Sequence, residues 1–355
     1  MVPKDRISEI LGAYDLSKLT VATVCSHTSL QIFDGARKEG FRTLGICIGQ
    51  PPKFYDAFPS AKPDEFLSVG DYHEIPRRAR ELTGKNVVVV PHGSFVEYMG
   101  VDAFEKLELP TFGNRKVLQW ESDRERQREW LLGAGLSMPE KIARPEDIKR
   151  PVLVKLYGAK GGRGFFIAKN YEEFMEADPK EKYTIQEYVI GTRYYMHFFY
   201  SPIAEKGYRL SKGSLELLSM DRRDEANIDE MYKLGAQEGL KKFGILPTFV
   251  VTGNIPVVLR ESLLPKAFWM GERTVERSIE LFGGMVGPFS LECIVTDKLE
   301  FKVFEISARI VAGTNFFVSG SPYSDFREPN MSAGRRIARE IKLARRKKAL
   351  DKVLS

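Results

Sequence analysis

Two groups of residues have the types and spacing of a site that handles phosphate. The first is the stretch 151–164, PVLVKLYGAKGGRG. An apolar run, Val152-Leu153-Val154, ends in Lys155. A basic glycine loop follows, holding Lys160, Gly161, Gly162, Arg163 and Gly164. Glycines let backbone approach phosphate oxygens, and free N–H groups in such a turn form an anion nest. Lys155 would set a point charge on an inner phosphate, and Arg163 could clamp an outer one. The GxxxxGK[ST] order is missing, and the run 165–168 after the glycines reads as a strand. Neither a P-loop nor a dinucleotide fingerprint fits. The plainer alternative is a mobile hairpin with solvated charges, and the stretch alone leaves both open.

The second group is a pair of carboxylates. Glu292 lies in SLECIV and Glu305 in VFEIS, two apolar runs joined by a turn at Thr296-Asp297-Lys298. A carboxylate inside an apolar strand is costly unless paired or bound to a cation. On adjacent antiparallel strands the two would share a face and form an oxygen-ligand site for Mg²⁺, which keeps waters and bridges to phosphates. Two glutamates on the solvent face of an edge hairpin would show the same alternation. Arg309, four residues past Glu305, could pair with a carboxylate or reach a transferred phosphoryl group.

Positioning these side chains requires alternating elements. Strand signals fall at 19–24, 41–48 and 87–90. Helix signals fall at 30–36, with Gly40 as the stop, and at 75–83. This predicts a parallel α/β domain, whose ligands gather at the carboxyl ends of strands. His27 and Ser94 stand in two such loops, and the helix after His27 offers its N–H dipoles to an anion. A capping or solvated histidine and a turn-starting serine are the plain alternatives. Further on, 121–130 reads as a helix and 183–189 and 193–200 as strands. The stretch 205–254 is irregular, with 221–227 as a loop, and 250–254 reads as a strand end. A helix at 262–281 precedes paired strands at 289–295 and 301–306.

Composition narrows the class. No apolar run approaches the ~20 residues that span a bilayer, and the first residues, MVPKDRISEI, show no apolar segment of a secretory leader. Three dispersed cysteines and four scattered histidines speak for core thiols in a reducing cytosol and against disulfides or zinc. The net charge of +6 suits an enzyme of phosphorylated substrates, and much of it lies in 335–352. Ile337, Ile341, Ala344 and Leu350 recur there at helical spacing, so an amphipathic helix with a solvated basic face is expected.

The order of these parts resembles the ATP-grasp ligase superfamily: a parallel α/β domain, a lysine strand with a glycine-basic loop, QEYVIG, then glutamate strands ending in ExSxR. That superfamily usually ends in ExNxR, so Ser307 stands where Asn is common. More narrowly, the chain resembles the archaeal formate-dependent formaminoimidazole carboxamide ribonucleotide synthetases. The likeness rests on SHTSLQIFDGARKEGF, PHGSF, LPTFGNRKVLQWESDR, VKLYGAKGGRGFF, QEYVIGTRYYMHFFYSP and FEISARIVAGTN.

The resemblance implies a fold of mixed α/β and α+β class, with an N-terminal parallel α/β domain (1–110) followed by a two-lobed ATP-grasp module. The small lobe would carry the glycine loop (111–190), and the large lobe the metal site and C-terminal helix (191–355). It implies that ATP, formate and aminoimidazole carboxamide ribonucleotide give the formylated ribonucleotide through formyl phosphate. His27, Ser94 and Asn254 match substrate contacts. Lys155, Lys160, Gly161, Gly162, Arg163, Gly164, Gln186, Glu187, Tyr188, Val189 and Glu225 match ATP contacts. Glu292 and Glu305 match ligands of Mg²⁺, with Mn²⁺ as a substitute. Lys155, Arg163 and Arg309 would act in catalysis. A cytoplasmic homo-oligomer is expected, binding neither nucleic acid nor membrane. The competing readings are a related ligase with another carboxylate or amine, and a basic RNA-binding protein without turnover.

Overall fold

The computed structural model describes residues 1–156, 164–226 and 250–355. Strands β1 (Thr20–Val24), β2 (Arg42–Ile48), β3 (Glu65–Val69) and β4 (Val87–Val89) form a parallel sheet in the order β3-β2-β1-β4. Both faces of β1 and β4 are buried, and both strands are rich in β-branched residues, TVATV and VVV. The short edge strand β3 gave no run distinct enough to read in sequence. The predicted helix at 75–83 is instead a 3₁₀ segment, Tyr72–Arg78, with α-helix only at Ala79–Gly84. Pro76 lies inside the first part and has no N–H to donate to an α-helical ladder.

The predicted helix at 121–130 is two helices, Val117–Ser122 and Arg124–Gly133. Asp123 breaks them apart, because its side chain accepts the N–H groups of Glu125 and Arg126 and so starts the second. Strands β5 (Lys141–Ile142), β6 (Val152–Leu156), β7 (Phe165–Ala168) and β8 (Tyr183–Glu187) then form an antiparallel sheet, β5-β8-β6-β7. Its core, including Val152, Val154, Phe174 and Ile185, is separate from the rest. The expected hairpin of β6 and β7 is present. β8 stops at Glu187, short of Tyr188 and Val189.

The third sheet is antiparallel: β9 (Thr192–Ser201), β10 (Tyr208–Arg209), β11 (Ser214–Glu225), β12 (Val251–Pro256), β13 (Gly287–Val295) and β14 (Phe301–Ser307). Its path is β10-β11-β9-β13-β14, with β12 on β11. Residues 221–225, expected in a loop, are the last five residues of β11. Charged residues are poor strand formers by propensity, but here every second one faces a polar partner on the sheet. The opposite face, with Met196, Phe198, Leu291 and Val303, joins the core containing Met270 and Val275 of the helix Leu264–Phe282.

The C-terminal helix Ala333–Arg346 packs on Ser29–Lys38 of the first domain. A Cβ on Gly35 or Gly334 would collide with backbone of the other helix, so both glycines permit the close crossing. From Arg335 to Lys342 the basic face is ion-paired, while Arg346, Lys347 and Lys348 beyond it are exposed as expected. Arg335, Arg339 and Lys342 converge on Glu39, and Arg336 is held between Glu216 and Glu340.

Candidate active site

Glu292 and Glu305 lie directly opposite each other on β13 and β14. A bulge just after Glu292 keeps them in register, with Cys293 pairing to Val303. Glu292 is 4% exposed. Its Oε1 accepts Arg223 Nη2 at 3.1 Å and Ser307 Oγ at 3.3 Å. Glu305 is open to the cleft although protein surrounds it on its other sides. Desolvation and the charge of Glu292 push its carboxyl up to about 7, against Lys155 and Arg223. Among the described residues no hydrogen bond or ion pair reaches the Glu305 carboxylate.

Two facing carboxylates, one without a partner, fit a hard divalent cation that takes its remaining ligands from water and phosphate. Among the described residues no group of three or more His, Cys, Asp or Glu side chains forms a self-sufficient metal cage. Ser307, in the place of the common Asn, donates to Glu292 and so orients that carboxylate.

Lys155 enters from the second sheet. It sits in β6 with its Nζ 6.0 Å from the centre of the Phe304 ring. Burial lowers its pKa, and Glu305 is the first charge to oppose that. The cationic strand and the acidic hairpin therefore face across one cleft. Lys160, Gly161, Gly162 and Arg163 lie outside the described residues. Gly164 immediately precedes the return strand, and its carbonyl accepts the Leu156 N–H. At the hinge, Gln186 and Glu187 pair with β6 and the N–H of Tyr188 goes to Pro151. The N–H of Glu187 goes to Glu140.

His27 and Ser94 meet at the carboxyl ends of β1 and β4. The Ser94 N–H donates to His27 Nε2 at 3.1 Å, so the proton is on Nδ1 and is donated to Thr28 Oγ1 at 2.7 Å. Burial and the Arg309 charge lower the His27 pKa to about 4, leaving the ring neutral at neutral pH. Thr28 takes φ +70°, an unusual conformation for a β-branched residue and one that local contacts must enforce. Arg309 is ion-paired to Glu121 at 2.8 Å. A Cβ on Gly93 would fall 2.9 Å from Arg309 Nη1 and 3.1 Å from His27 Nε2, so glycine lets these two side chains approach. Arg309 thus joins the first domain to the acidic hairpin.

Asn254, on β12, donates to Asp221 Oδ2 at 2.7 Å. Glu225 is ion-paired with Arg193 at 3.0 Å. Sequence reasoning missed Asp221, Arg223, Tyr195 and Glu121 as members of this constellation. The guanidinium of Arg223 lies 3.7 Å from the centre of the Tyr195 ring while it bonds Glu292. The signal was an alternation, Ser219, Asp221, Arg223, Glu225, with a two-residue strand period.

A cleft between two antiparallel lobes, with lysine on one wall and paired carboxylates on the other, defines an ATP-grasp ligase. The family profile described as Domain of unknown function (DUF1297) matches residues 168–355, and Protein of unknown function (DUF1246) matches 21–142. The chain is 65% identical, over all of both chains, to 5-formaminoimidazole-4-carboxamide-1-(beta)-D-ribofuranosyl 5'-monophosphate synthetase of Methanococcoides burtonii. The crystal structure of an IMP biosynthesis protein PurP from Thermococcus kodakaraensis superposes with a TM-score of 0.72 at 32% identity, over 94% of this chain and 100% of that one. The biotin carboxylase domain of Hydrogenobacter thermophilus 2-oxoglutarate carboxylase, a dimer solved with MgADP and bicarbonate, shares the fold. Its TM-score is 0.60 at 15% identity, covering 90% of this chain and 69% of that domain. The chain belongs to the family of 5-formaminoimidazole-4-carboxamide ribonucleotide synthetases, ATP-dependent ligases of purine biosynthesis.

Proposed function

We propose that this chain uses ATP and formate to formylate aminoimidazole carboxamide ribonucleotide in purine biosynthesis. The observation that carries the reading is Glu305, an unpartnered carboxylate opposite Glu292 and across the cleft from Lys155. The close relative's name supplies the ribonucleotide product, and MgADP in the biotin carboxylase neighbour supports a magnesium nucleotide.

Formate needs activation because its own leaving group would be oxide. Transfer of the ATP γ-phosphoryl group gives formyl phosphate and ADP. The substrate amine attacks the formyl carbon and phosphate leaves. The protein's contribution is positioning and charge neutralisation. Glu292 and Glu305 would hold Mg²⁺, or Mn²⁺ in its place, which supplies charge for the outer phosphates. Lys155 and Arg163 add positive charge, and Lys160, Gly161, Gly162 and Gly164 offer backbone that can approach phosphate closely.

Gln186, Glu187, Tyr188 and Val189 line the adenine edge. The N–H groups of Glu187 and Tyr188 are engaged, which leaves Val189 to donate. Glu225 adds a further nucleotide contact. Neutral His27, with Ser94 and Asn254, orients the ribonucleotide, while Arg309 stands between that site and the carboxylates. The domain limits 1–110, 111–190 and 191–355 belong to this reading. So does a cytoplasmic homo-oligomer, which light scattering would test. No helix of the described residues is long and apolar enough to cross a membrane.

The test is ADP release with formate, ribonucleotide and Mg²⁺ each omitted in turn, with mass detection of product. All three should be required, and the product should gain one formyl group. Turnover with formate omitted, or a different acyl product, would overturn the assignment.

A further inference from the structure

The buried polar network behind Asn254 is larger than the metal site requires. Asp221 is fully buried on β11. It accepts His197 Nε2 on Oδ1 at 2.6 Å and Asn254 Nδ2 on Oδ2 at 2.7 Å. The backbone of the 3₁₀ turn Ala312–Phe316 closes over it, since a Cβ on Gly313 would collide with the Asp221 carboxylate. Arg309, three residues before that turn, lies beside His27. Asn254 is half-buried, and among the described residues its carbonyl oxygen has no hydrogen-bond partner.

These contacts fix a polarity. A carboxylate only accepts, so Asp221 draws the NH₂ of Asn254 inward and leaves the carbonyl oxygen facing the cleft. His197, 2% exposed, holds Asp221 from the other side and prevents it from turning away. A free asparagine amide could flip and read either a donor or an acceptor. Held by Asp221, it reads only a donor.

We propose that Asp221 is a positioning residue that sets substrate specificity: it orients Asn254 to accept an N–H from the carboxamide of the ribonucleotide. This rests on the reading of Asn254 as a substrate contact. Ribose hydroxyls donate and accept alike, so a fixed acceptor gains nothing from them. Phosphate oxygens would be repelled. The carboxamide is the group whose polarity matters, because a carboxylate at that ring position presents only acceptors. The network therefore excludes nucleotides that carry the acid in place of the amide.

The experiment compares KM and kcat for the carboxamide ribonucleotide with binding of its 4-carboxylate analogue, in the wild type, Asp221→Asn and Asn254→Ala. The wild type should favour the carboxamide by about a hundredfold or more, since an unpaired buried acceptor is heavily penalised. In Asp221→Asn the amide at 254 can flip. The preference should fall about tenfold, with KM for the ribonucleotide rising more than kcat falls and KM for ATP unchanged, which loss of one oriented hydrogen bond to a charged group would give. Equal binding of both nucleotides by the wild type overturns the proposal. Unchanged KM in Asn254→Ala removes Asn254 from the substrate site and overturns both readings. A raised KM in Asn254→Ala with full discrimination in Asp221→Asn overturns this inference alone. A wild-type crystal structure with the ribonucleotide bound decides the matter even if Asp221→Asn does not fold. A carboxamide nitrogen within about 3.2 Å of Asn254 Oδ1 supports the proposal, and any other group at that atom, an acceptor or the ring amine, overturns it.

Discussion

The molecule has two clusters of buried charge, and they are built in opposite ways. Under the C-terminal helix every carboxylate is saturated. Glu39 takes Arg335, Arg339 and Lys342, at 2.8, 2.7 and 3.3 Å. Arg336 is shared by Glu216 and Glu340, and Arg327 adds a second cation to Glu216. Burial alone would raise the Glu39 carboxyl, but its hydrogen bonds from Arg339 and Arg335 carry it down to about 2. In the cleft, Glu292 is partnered by Arg223, Glu121 by Arg309, and Glu305 stands over, pushed up to about 7. A saturated cluster fastens two elements together. An unsaturated one invites a cation that the chain does not itself provide.

Substitutions that add or remove one charge separate the two roles. Glu305→Gln should lower turnover by about 10²–10³-fold, the usual loss when one element of charge stabilisation goes, with the thermal midpoint little changed. A steady-state assay beside calorimetry reads both, and near-normal turnover would place the cation elsewhere. Arg336→Ala leaves Glu216 and Glu340 buried without their shared cation, at a cost of about 3–5 kcal/mol. Denaturant unfolding should show this, while activity per folded molecule stays close to normal.

Acid should loosen the fastened cluster only below about pH 4.5. The folded Glu39 carboxyl lies at about 2, below its usual 4.5. The unfolded chain therefore binds the proton first, and the stability Glu39 contributes is complete above 4.5 and lost as pH falls toward 2. Glu39→Gln should flatten that part of the unfolding profile. Burial and neighbouring positive charge lower His27 to about 4, and burial with the His27 charge lowers His92 to about 3. Their contribution is likewise present above pH 6.5 and lost below it, so histidine NMR titrations should find neither ring protonating near 6.5. The smallest effect is expected from Ser307→Ala, which removes one hydrogen bond from Glu292, about 0.5–1.5 kcal/mol. A modest rise in the metal concentration needed for half-maximal turnover would register it.

The difference between the clusters also explains what could be read in advance. Glu292 and Glu305 were legible because each is an acid in a short apolar run, and burial follows from the run itself. The sheet at β1, β2 and β4 was legible for the same reason. Asp221 and Arg223 were hidden because the segment around them is mostly charged and resembles solvent-facing loop. Only pairing with Tyr195, Glu292 and Asn254 makes it a strand. The basic tail was read as helical from Ile337 and Ile341, but Glu39 lies 296 residues from Arg335. No local pattern announces a partner at that separation. The break at Asp123 was hidden because the charged residues on both sides of it favour helix.

The central claim is that the surplus carboxylate exists to take a divalent cation together with the nucleotide. Anomalous diffraction from crystals grown with Mn²⁺ and a non-hydrolysable ATP analogue tests it directly. The account predicts one strong peak between Glu292 and Glu305 and phosphate oxygens, on the side facing Lys155. A nucleotide bound in the cleft with manganese absent from those two carboxylates would contradict it.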